Sequence, residues 1–187
     1  MAQRDIEKKL QTEFWELASQ PFKVKTVPEK WETESAVLLA YSQDYSVKIN
    51  GKLSGTTHTE NYKIHYRIKL LDKAAVQDFS ELAFNNNTVK TNMFGKPRAF
   101  LVYGIKVVKA DGTERIVDLK EAVKTDAGSS KDLKIPIPNL ETGDIVDYFV
   151  AIQDESIGLP NHGSEDLLES KYQIVYQKIS FTIPDRI

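Results

Sequence analysis

Residues 62–70 place the strongest constraint on the fold, because apolar and polar side chains alternate there without a break. Strict alternation is typical of a β-strand that has one face in a protein core and the other in water. The apolar positions are Tyr62, Ile64, Tyr66, Ile68 and Leu70. The positions between them are Lys63, His65, Arg67 and Lys69. The segment therefore predicts a half-buried strand.

The rest of the chain supplies further short strands, separated by stretches rich in turn-forming residues. Strands are predicted at residues 35–40, 45–49, 82–84, 99–109, 113–119, 145–152 and 172–183. The run at 145–152 is apolar at nearly every position, as in a strand buried on both faces. Residues 50–61, 121–131 and 153–169 are predicted loops. Many short strands and a single convincing helix predict a mainly β protein, specifically an antiparallel β-sandwich.

Four local signals refine this pattern. Asp111 and Gly112 suit a two-residue type I′ hairpin turn. Gly104 lies inside a strand, where glycine often marks a bulge or a close backbone approach. Asp72 is placed to cap a short helix. The apolar parity of the last strand changes near Gln177, which predicts a bulge or a strand that passes from one sheet to another.

The N-terminus is predicted to be helical over residues 5–18. Ile6, Leu10, Phe14 and Leu17 recur every three or four positions and form one apolar stripe. We expect this stripe to dock on its own domain rather than on a partner. The predicted organisation is therefore a helix at 1–20, which is an appendage or the end of an upstream segment, an extended linker at 21–34 and a β module at 35–187.

Composition excludes several classes of function. The net charge is −2 and the pI about 6.0, which is unlike the basic footprint of a nucleic-acid-binding protein. No apolar run is long enough to cross a bilayer as a helix. The chain has no cysteine, so it holds no thiol nucleophile, thiolate metal site or disulfide. The N-terminal residues lead into a charged, helix-like segment rather than the apolar region of a signal peptide, so any export signal is expected to lie outside this chain.

The sequence contains no recognisable catalytic, cofactor or metal motif. His58, His65 and His162 are not spaced from other ligand residues as in known metal sites. His65 is predicted to be a surface residue, because it lies on the polar side of its strand. No serine lies in a GxSxG context, and there is neither a phosphate loop nor a dinucleotide fingerprint. We therefore predict no catalytic residue, no cofactor and no metal ligand in this chain.

One candidate binding face is the row of Lys63, His65, Arg67 and Lys69. Side chains at alternate positions of a strand point to the same side, so a row of cations could bind an anionic glycan or a phosphate. The alternative, which we favour, is a solvated face or a guard against edge-to-edge aggregation. Tyr62, Tyr66 and Tyr148 fall on core positions, so packing explains these rings better than sugar binding.

Three acids near the start of the strand at 145–152 form the second candidate. Glu141, Asp144 and Asp147 could suggest acid–base chemistry or a cation site. Gly143 and Asp144 are, however, residues that tight turns use, because Asp bonds local backbone N–H groups. Asp147 is a lone acid among apolar residues, and we expect it to pair with a lysine or arginine or to lie near an edge.

Several of these segments, in this order, resemble a known family. They are VPEKW at 27–31 with ESAVLLA at 34–40, the strand at 62–71 with its following helix, VVKADGT at 107–113, and IPIPNLETGDIVDY at 135–148. The chain resembles the domain of unknown function found upstream of transglutaminase-like domains in exported bacterial proteins, especially those of the Bacteroidetes.

The resemblance implies a β-sandwich module in a longer periplasmic or extracellular protein. The cysteine, histidine and aspartate of the transglutaminase-like unit would lie downstream, and the module is expected to continue beyond Ile187. The function expected is a non-catalytic accessory module that positions or binds something for that downstream domain. The alternatives are a carbohydrate- or peptidoglycan-binding module, and a glycan-active enzyme that uses paired carboxylates about 5 to 10 Å apart.

Overall fold

The chain is mainly β, with one longer helix at the N-terminus. The computed structural model describes residues 3–52, 55–85, 99–121, 123–127, 130–157 and 170–184. The helices are α1, Gln3–Gln11, which continues as a π-helical turn, Thr12–Glu16, and α2, Lys73–Asp78. Short 3-10 turns span Gln20–Lys23, Glu29–Trp31 and Leu119–Glu121. The strands are β1 Ala36–Lys52, β2 Gly55–Leu70, β3 Glu81–Asn85, β4 Ala99–Val108, β5 Glu114–Ile116, β6 Val123–Ala127, β7 Ser130–Pro136, β8 Ile145–Ile157, β9 Gln173–Ile174 and β10 Gln177–Thr182.

The strands form two sheets. The larger one has the order β10-β1-β2-β8-β4-β5, with β9 also paired to β1, and the smaller one has the order β3-β7-β6. All pairings are antiparallel except those of β9 and β10, which run parallel to β1. The prediction of a mainly β fold with an N-terminal helix is confirmed. The larger sheet is mixed at one edge rather than wholly antiparallel.

The smaller sheet packs against one side of the larger sheet, which we call the core face. Ile68 on β2 and Ile105 on β4 share a buried cluster with Leu133 and Ile135 of β7. The ring of Phe84 on β3 adds to this contact between the sheets. It lies 5.2 Å from the ring of Tyr103 and 6.1 Å from that of Tyr148, centroid to centroid. The apolar half of the alternation at 62–70 therefore faces a core, as predicted.

The opposite side of the larger sheet is covered by residues 3–34, which we call the N-terminal segment. Two apolar clusters hold the segment on this covered face. The first joins Leu10 and Phe14 to Val102, Phe149 and Ala151. The second joins Val27 and Trp31 to Val37, Leu39, Val108 and Ile145. The prediction that the helical stripe docks on its own domain is confirmed.

The stripe itself ends differently from the prediction. Leu10 and Phe14 are buried, but Leu17 is 75% exposed. The prediction that Leu17 belongs to the buried apolar stripe was therefore wrong. The reason is the π-helical turn at Thr12–Glu16, which is wider than an α-helical turn and shifts the angular positions of the residues after it. The turn brings Trp15 onto the sheet, where its ring contacts the ring of Phe149.

Three predicted loops are partly strand. Residues 36–52 form one strand, β1, which has a register shift between Leu38 and Ala40. The next strand, β2, begins at Gly55, so the prediction of a loop at 50–61 was wrong. β6 and β7 occupy most of the loop predicted at 121–131, and β8 extends to Ile157. Pairing along a long hairpin outweighs the weak strand preference of Gly, Ser and Asn. The remainder of the loop at 153–169, with His162, lies outside the described residues.

The predicted hairpin and helix cap both form, but the hairpin turn is of a different type. The hairpin at Asp111-Gly112 is confirmed, but the type I′ turn was wrong, because Gly112 has φ +90° while Asp111 is not among the described residues with positive φ. A hydrogen bond of 2.9 Å from Gly112 N to Lys109 O closes a type I turn followed by a left-handed glycine instead. The cap is confirmed, since Asp72 accepts a hydrogen bond of 2.8 Å from Ala75 N.

The last strand is interrupted rather than transferred. β9 and β10 flank residues 175–176, and both pieces pair with β1, so the expectation of a passage to another sheet was wrong. Val175 N still bonds Leu38 O at 2.8 Å, close to the register shift of β1. The change of parity seen in the sequence therefore marks a local break in the strand.

Candidate functional site

The most polar part of the covered face is centred on Asp147 of β8. By strand register, Asp147 lies directly opposite Arg67 on β2 and Lys106 on β4. Residues opposite one another in neighbouring antiparallel strands present their side chains on the same face. Asp147 and Arg67 are each 2% exposed and Lys106 is 8% exposed. The sheet thus places one acid between two bases and out of contact with water.

Both carboxylate oxygens of Asp147 are engaged. Its Oδ1 accepts a hydrogen bond of 3.1 Å from Trp15 Nε1 and lies 2.7 Å from His65 Nε2. Its Oδ2 accepts a hydrogen bond from the Arg67 guanidinium. Arg67 also donates through Nε to the backbone oxygen of Val24, at 2.8 Å. The expectation that Asp147 pairs with a basic residue is confirmed, and the N-terminal segment contributes to the same network.

His65 lies between two aromatic rings of the N-terminal segment. The Phe22 ring stacks on the imidazole with centroids 4.0 Å apart, and the Phe14 ring meets it edge-on at 5.1 Å. Only 3% of His65 is exposed, so the prediction of a surface histidine was wrong. The alternation in β2 located the face of His65 correctly, but that face is covered by protein rather than by water.

The two outer lysines of the row also contact the N-terminal segment. Lys63 forms an ion pair with Glu13, and Lys69 donates a hydrogen bond of 3.1 Å to the backbone oxygen of Lys25. The structure therefore brings Lys63, His65, Arg67 and Lys69 together on one face, as predicted. The expectation of a solvated face was wrong for the two central residues. In the observed arrangement, the N-terminal segment occupies this candidate binding face.

Lys106 is a member of this cluster that sequence reasoning missed. Its ammonium lies 5.4 Å from the centre of the Trp15 ring and 3.1 Å from Glu114 Oε2. The face of the Trp15 ring and the Glu114 carboxylate both attract the lysine ammonium. A lysine in the middle of the apolar run at 99–109 was the available signal.

Glu141 and Asp144 belong to a different network around Lys109. Lys109 Nζ lies 2.8 Å from Asp144 Oδ2, 2.7 Å from Glu141 Oε2 and 3.1 Å from the backbone oxygen of Asn139. The hydrogen bond to Asp144, more than that to Glu141, raises the pKa of Lys109 above its usual value. Asp144 also accepts from Glu141 N at 2.8 Å, and Gly143 has φ +95°, so the predicted tight turn is confirmed.

The three acids therefore do not converge on one site. Asp147 is engaged by His65, Arg67 and Trp15, whereas Asp144 and Glu141 share Lys109. Among the described residues, no group of three His, Asp or Glu side chains is arranged to hold a metal ion. His58 is 3.0 Å from Glu60 on the same strand.

Tyr41, Tyr66 and Tyr148 lie on the other side of the larger sheet from the cations. The rings of Tyr41, Tyr66 and Tyr148 pack in a row on the core face, at centroid distances of 4.7 and 4.8 Å. Burial raises the pKa of Tyr66 and, more strongly, that of Tyr148. The aromatic rings that contact His65 of the cation row come instead from Phe14 and Phe22 of the N-terminal segment, and the Trp15 ring lies next to Lys106.

Comparisons with known proteins identify the fold but no family. No family model and no curated protein matches the chain. A similar solved structure is a protein from Parabacteroides distasonis described as a "putative protease". The two share 15% sequence identity at a TM-score of 0.64, and the match covers 81% of this chain but 29% of that protein. This chain thus corresponds to less than a third of the larger protein. Within the described residues, no helix is both long enough and apolar enough to cross a membrane.

Proposed function

We propose that this chain is a non-catalytic accessory module of a larger exported protein, and that it positions or binds something for a neighbouring transglutaminase-like domain. The observation that carries the proposal is the match to 29% of the Parabacteroides protein, since a fold of this size recurs there within a longer chain. That protein is described as a "putative protease", which agrees with an adjoining domain that acts on peptides or proteins.

The arrangement of the polar residues supports a structural role for them. In the Asp147 cluster, the carboxylate, the imidazole and the guanidinium are turned toward one another and toward the N-terminal segment. A general acid or base must reach a substrate proton directly or through one water molecule. Asp147 and His65 are 2% and 3% exposed, so neither meets this requirement in the observed arrangement.

The two alternative functions receive less support from the described residues. A sugar-binding face would need exposed rings beside the cation row, but Phe14 and Phe22, which cover His65, are 9% and 7% exposed. A glycosidase would need two carboxylates in one cleft. Asp144 and Asp147 are held in separate networks, by Lys109 and Arg67 respectively.

The parent gene and the isolated chain provide the test. We expect the reading frame downstream to encode a transglutaminase-like unit with a cysteine, a histidine and an aspartate, preceded upstream by an export signal. The isolated chain should show no amidase or transamidase activity on peptide amides, and its Asp147→Asn variant should behave in the same way. An unrelated downstream domain, or turnover that Asp147→Asn abolishes, would contradict the proposal.

A further inference from the structure

A cleft lies between helix α1 and the covered face, next to the Asp147 cluster but separate from it. Its volume is about 380 Å³, which falls in the range of small-molecule sites. Leu10 of α1 and Val102 and Ala151 of the sheet form its apolar side. The polar side is formed by residues of β1, β2 and β8, together with Lys9 of α1 and Glu13 of the π-helical turn.

The polar side carries opposite charges that are not paired with each other. Asp44 and Lys48 of β1 and Lys9 of α1 line the cleft, and within the described residues the side chains of these three make no hydrogen bond or ion pair. Lys63 also lines the cleft, but its ammonium is held by Glu13. The charges available to a ligand are therefore one carboxylate and two ammonium groups.

The strand fixes the distance between these charges. Asp44 and Lys48 are four residues apart on β1 and point to the same face, so their Cα atoms are about 13 Å apart. An extended peptide also advances about 3.3 Å per residue. The ammonium and carboxylate ends of a tripeptide or tetrapeptide therefore match the spacing of Asp44 and Lys48.

The groups midway between the charges suit a peptide backbone. Ser46, Asn61 and Gln153 form one row across β1, β2 and β8 by strand register, and all three line the cleft. Hydroxyl and carboxamide groups can both donate to and accept from peptide N–H and C=O groups. Among the described residues, no aromatic ring lines the cleft, which argues against the stacking that sugars favour.

We propose that this cleft binds short peptides with free termini. The ammonium end lies at Asp44, the carboxylate end lies at Lys48 and Lys9, and a small apolar side chain lies against Leu10, Val102 and Ala151. This assignment goes beyond the accessory role proposed above and does not depend on it. A chain that proves to have a different genomic neighbour can still bind peptides in this cleft.

Calorimetric titration with Ala-Ala-Ala tests the proposal, together with N-acetylated and C-amidated forms of the same peptide and N-acetylglucosamine. The free tripeptide should bind saturably, with a Kd below about 1 mM. Asp44→Asn and Lys48→Gln should each weaken binding about two- to fivefold, as expected for partly exposed charge pairs. The matched controls Glu32→Gln and Lys73→Gln, which lie outside the cleft, should leave the Kd unchanged.

The modified peptides make the test specific. Asp44→Asn should weaken binding of the free tripeptide but not that of the N-acetylated form, and Lys48→Gln should not affect the C-amidated form. Amide shifts in NMR spectra should change at Ser46, Asn61 and Ala151, and the same spectra show whether each variant is folded. The proposal is overturned by an absence of saturable binding at about 10 mM. It is also overturned if the NMR amide shifts caused by the peptide are confined to other surfaces. Tighter binding of N-acetylglucosamine than of the peptide at these residues overturns it as well.

Discussion

Replacement of Asp147 by asparagine should be among the most destabilising single changes in this chain. The asparagine side chain would keep an oxygen for Trp15 and His65, but the negative charge that faces Arg67 would be lost. Both Asp147 and Arg67 are 2% exposed, so the guanidinium would stay buried without a counter-charge. Removal of one partner of a buried ion pair typically costs about 3–5 kcal/mol. For a chain of 187 residues this corresponds to a fall in Tm of about 6–20 °C.

The double variant Asp147→Asn, Arg67→Met separates the charge effect from packing. Methionine fills much of the volume of the arginine stem without its charge, so the double variant should be more stable than Asp147→Asn alone by about 1–3 kcal/mol. Urea unfolding followed by circular dichroism gives each free energy of unfolding. Asp78→Asn, which breaks a surface pair with Lys171, is the matched control and should have little effect. A loss below about 1 kcal/mol for Asp147→Asn would refute the argument that the pair is buried and mutually dependent.

Three further changes test the packing of the covered face and one helix cap. Gly104→Ala would place a Cβ 2.5 Å from the ring of the fully buried Phe149, and thermal unfolding should show a loss of about 1–3 kcal/mol. Leu10→Ala should cost about 2–4 kcal/mol in urea unfolding, whereas Leu17→Ala at 75% exposure should stay within about 0.5 kcal/mol of the parent. The pKa of Asp72 is lowered below 3.8, mainly by a backbone N–H, so Asp72→Ala should lower Tm at neutral pH. Because the stabilisation from a lowered pKa is complete above the ordinary value and is lost as the pH falls through the folded-state pKa, that difference should shrink as the pH falls below 3.8. A difference that grows on acidification would contradict the cap.

The sequence was sufficient for those features that depend on neighbouring residues. The alternation at 62–70 assigned each side chain of β2 to the correct face, and the turn around Gly143 followed from local chemistry. Gly104 was expected to mark a bulge or a close backbone approach, but the register of β4 with β8 is continuous there and the group that approaches it is the ring of Phe149. The need of Asp147 for a basic partner also followed from its apolar surroundings.

The partner itself could not be deduced, because it depends on the register of distant strands. Arg67 lies 80 positions before Asp147, and a shift of one residue between β2 and β8 would have placed the guanidinium on the core face. Nor does the helical stripe reveal the π-helical turn that directs Trp15 toward the sheet. The docking of the N-terminal segment on the sheet is likewise a contact between parts of the chain that are distant in sequence. The cation row was therefore interpreted as a water-facing surface, although an amphipathic N-terminal segment was available to cover it.

The covered face combines apolar contacts with a small number of directional bonds, and the two have different consequences. Apolar contacts such as that between Phe14 and Phe149 stabilise docking but tolerate a small slide of the helix. The hydrogen bonds from Trp15 to Asp147 and from Arg67 to the Val24 backbone do not tolerate such a slide, because a displacement of about 1 Å would leave buried polar groups without partners. The polar cluster therefore fixes the position of α1 on the sheet. Because Leu10 of α1 lines the peptide-sized cleft, the same bonds set the width of that cleft.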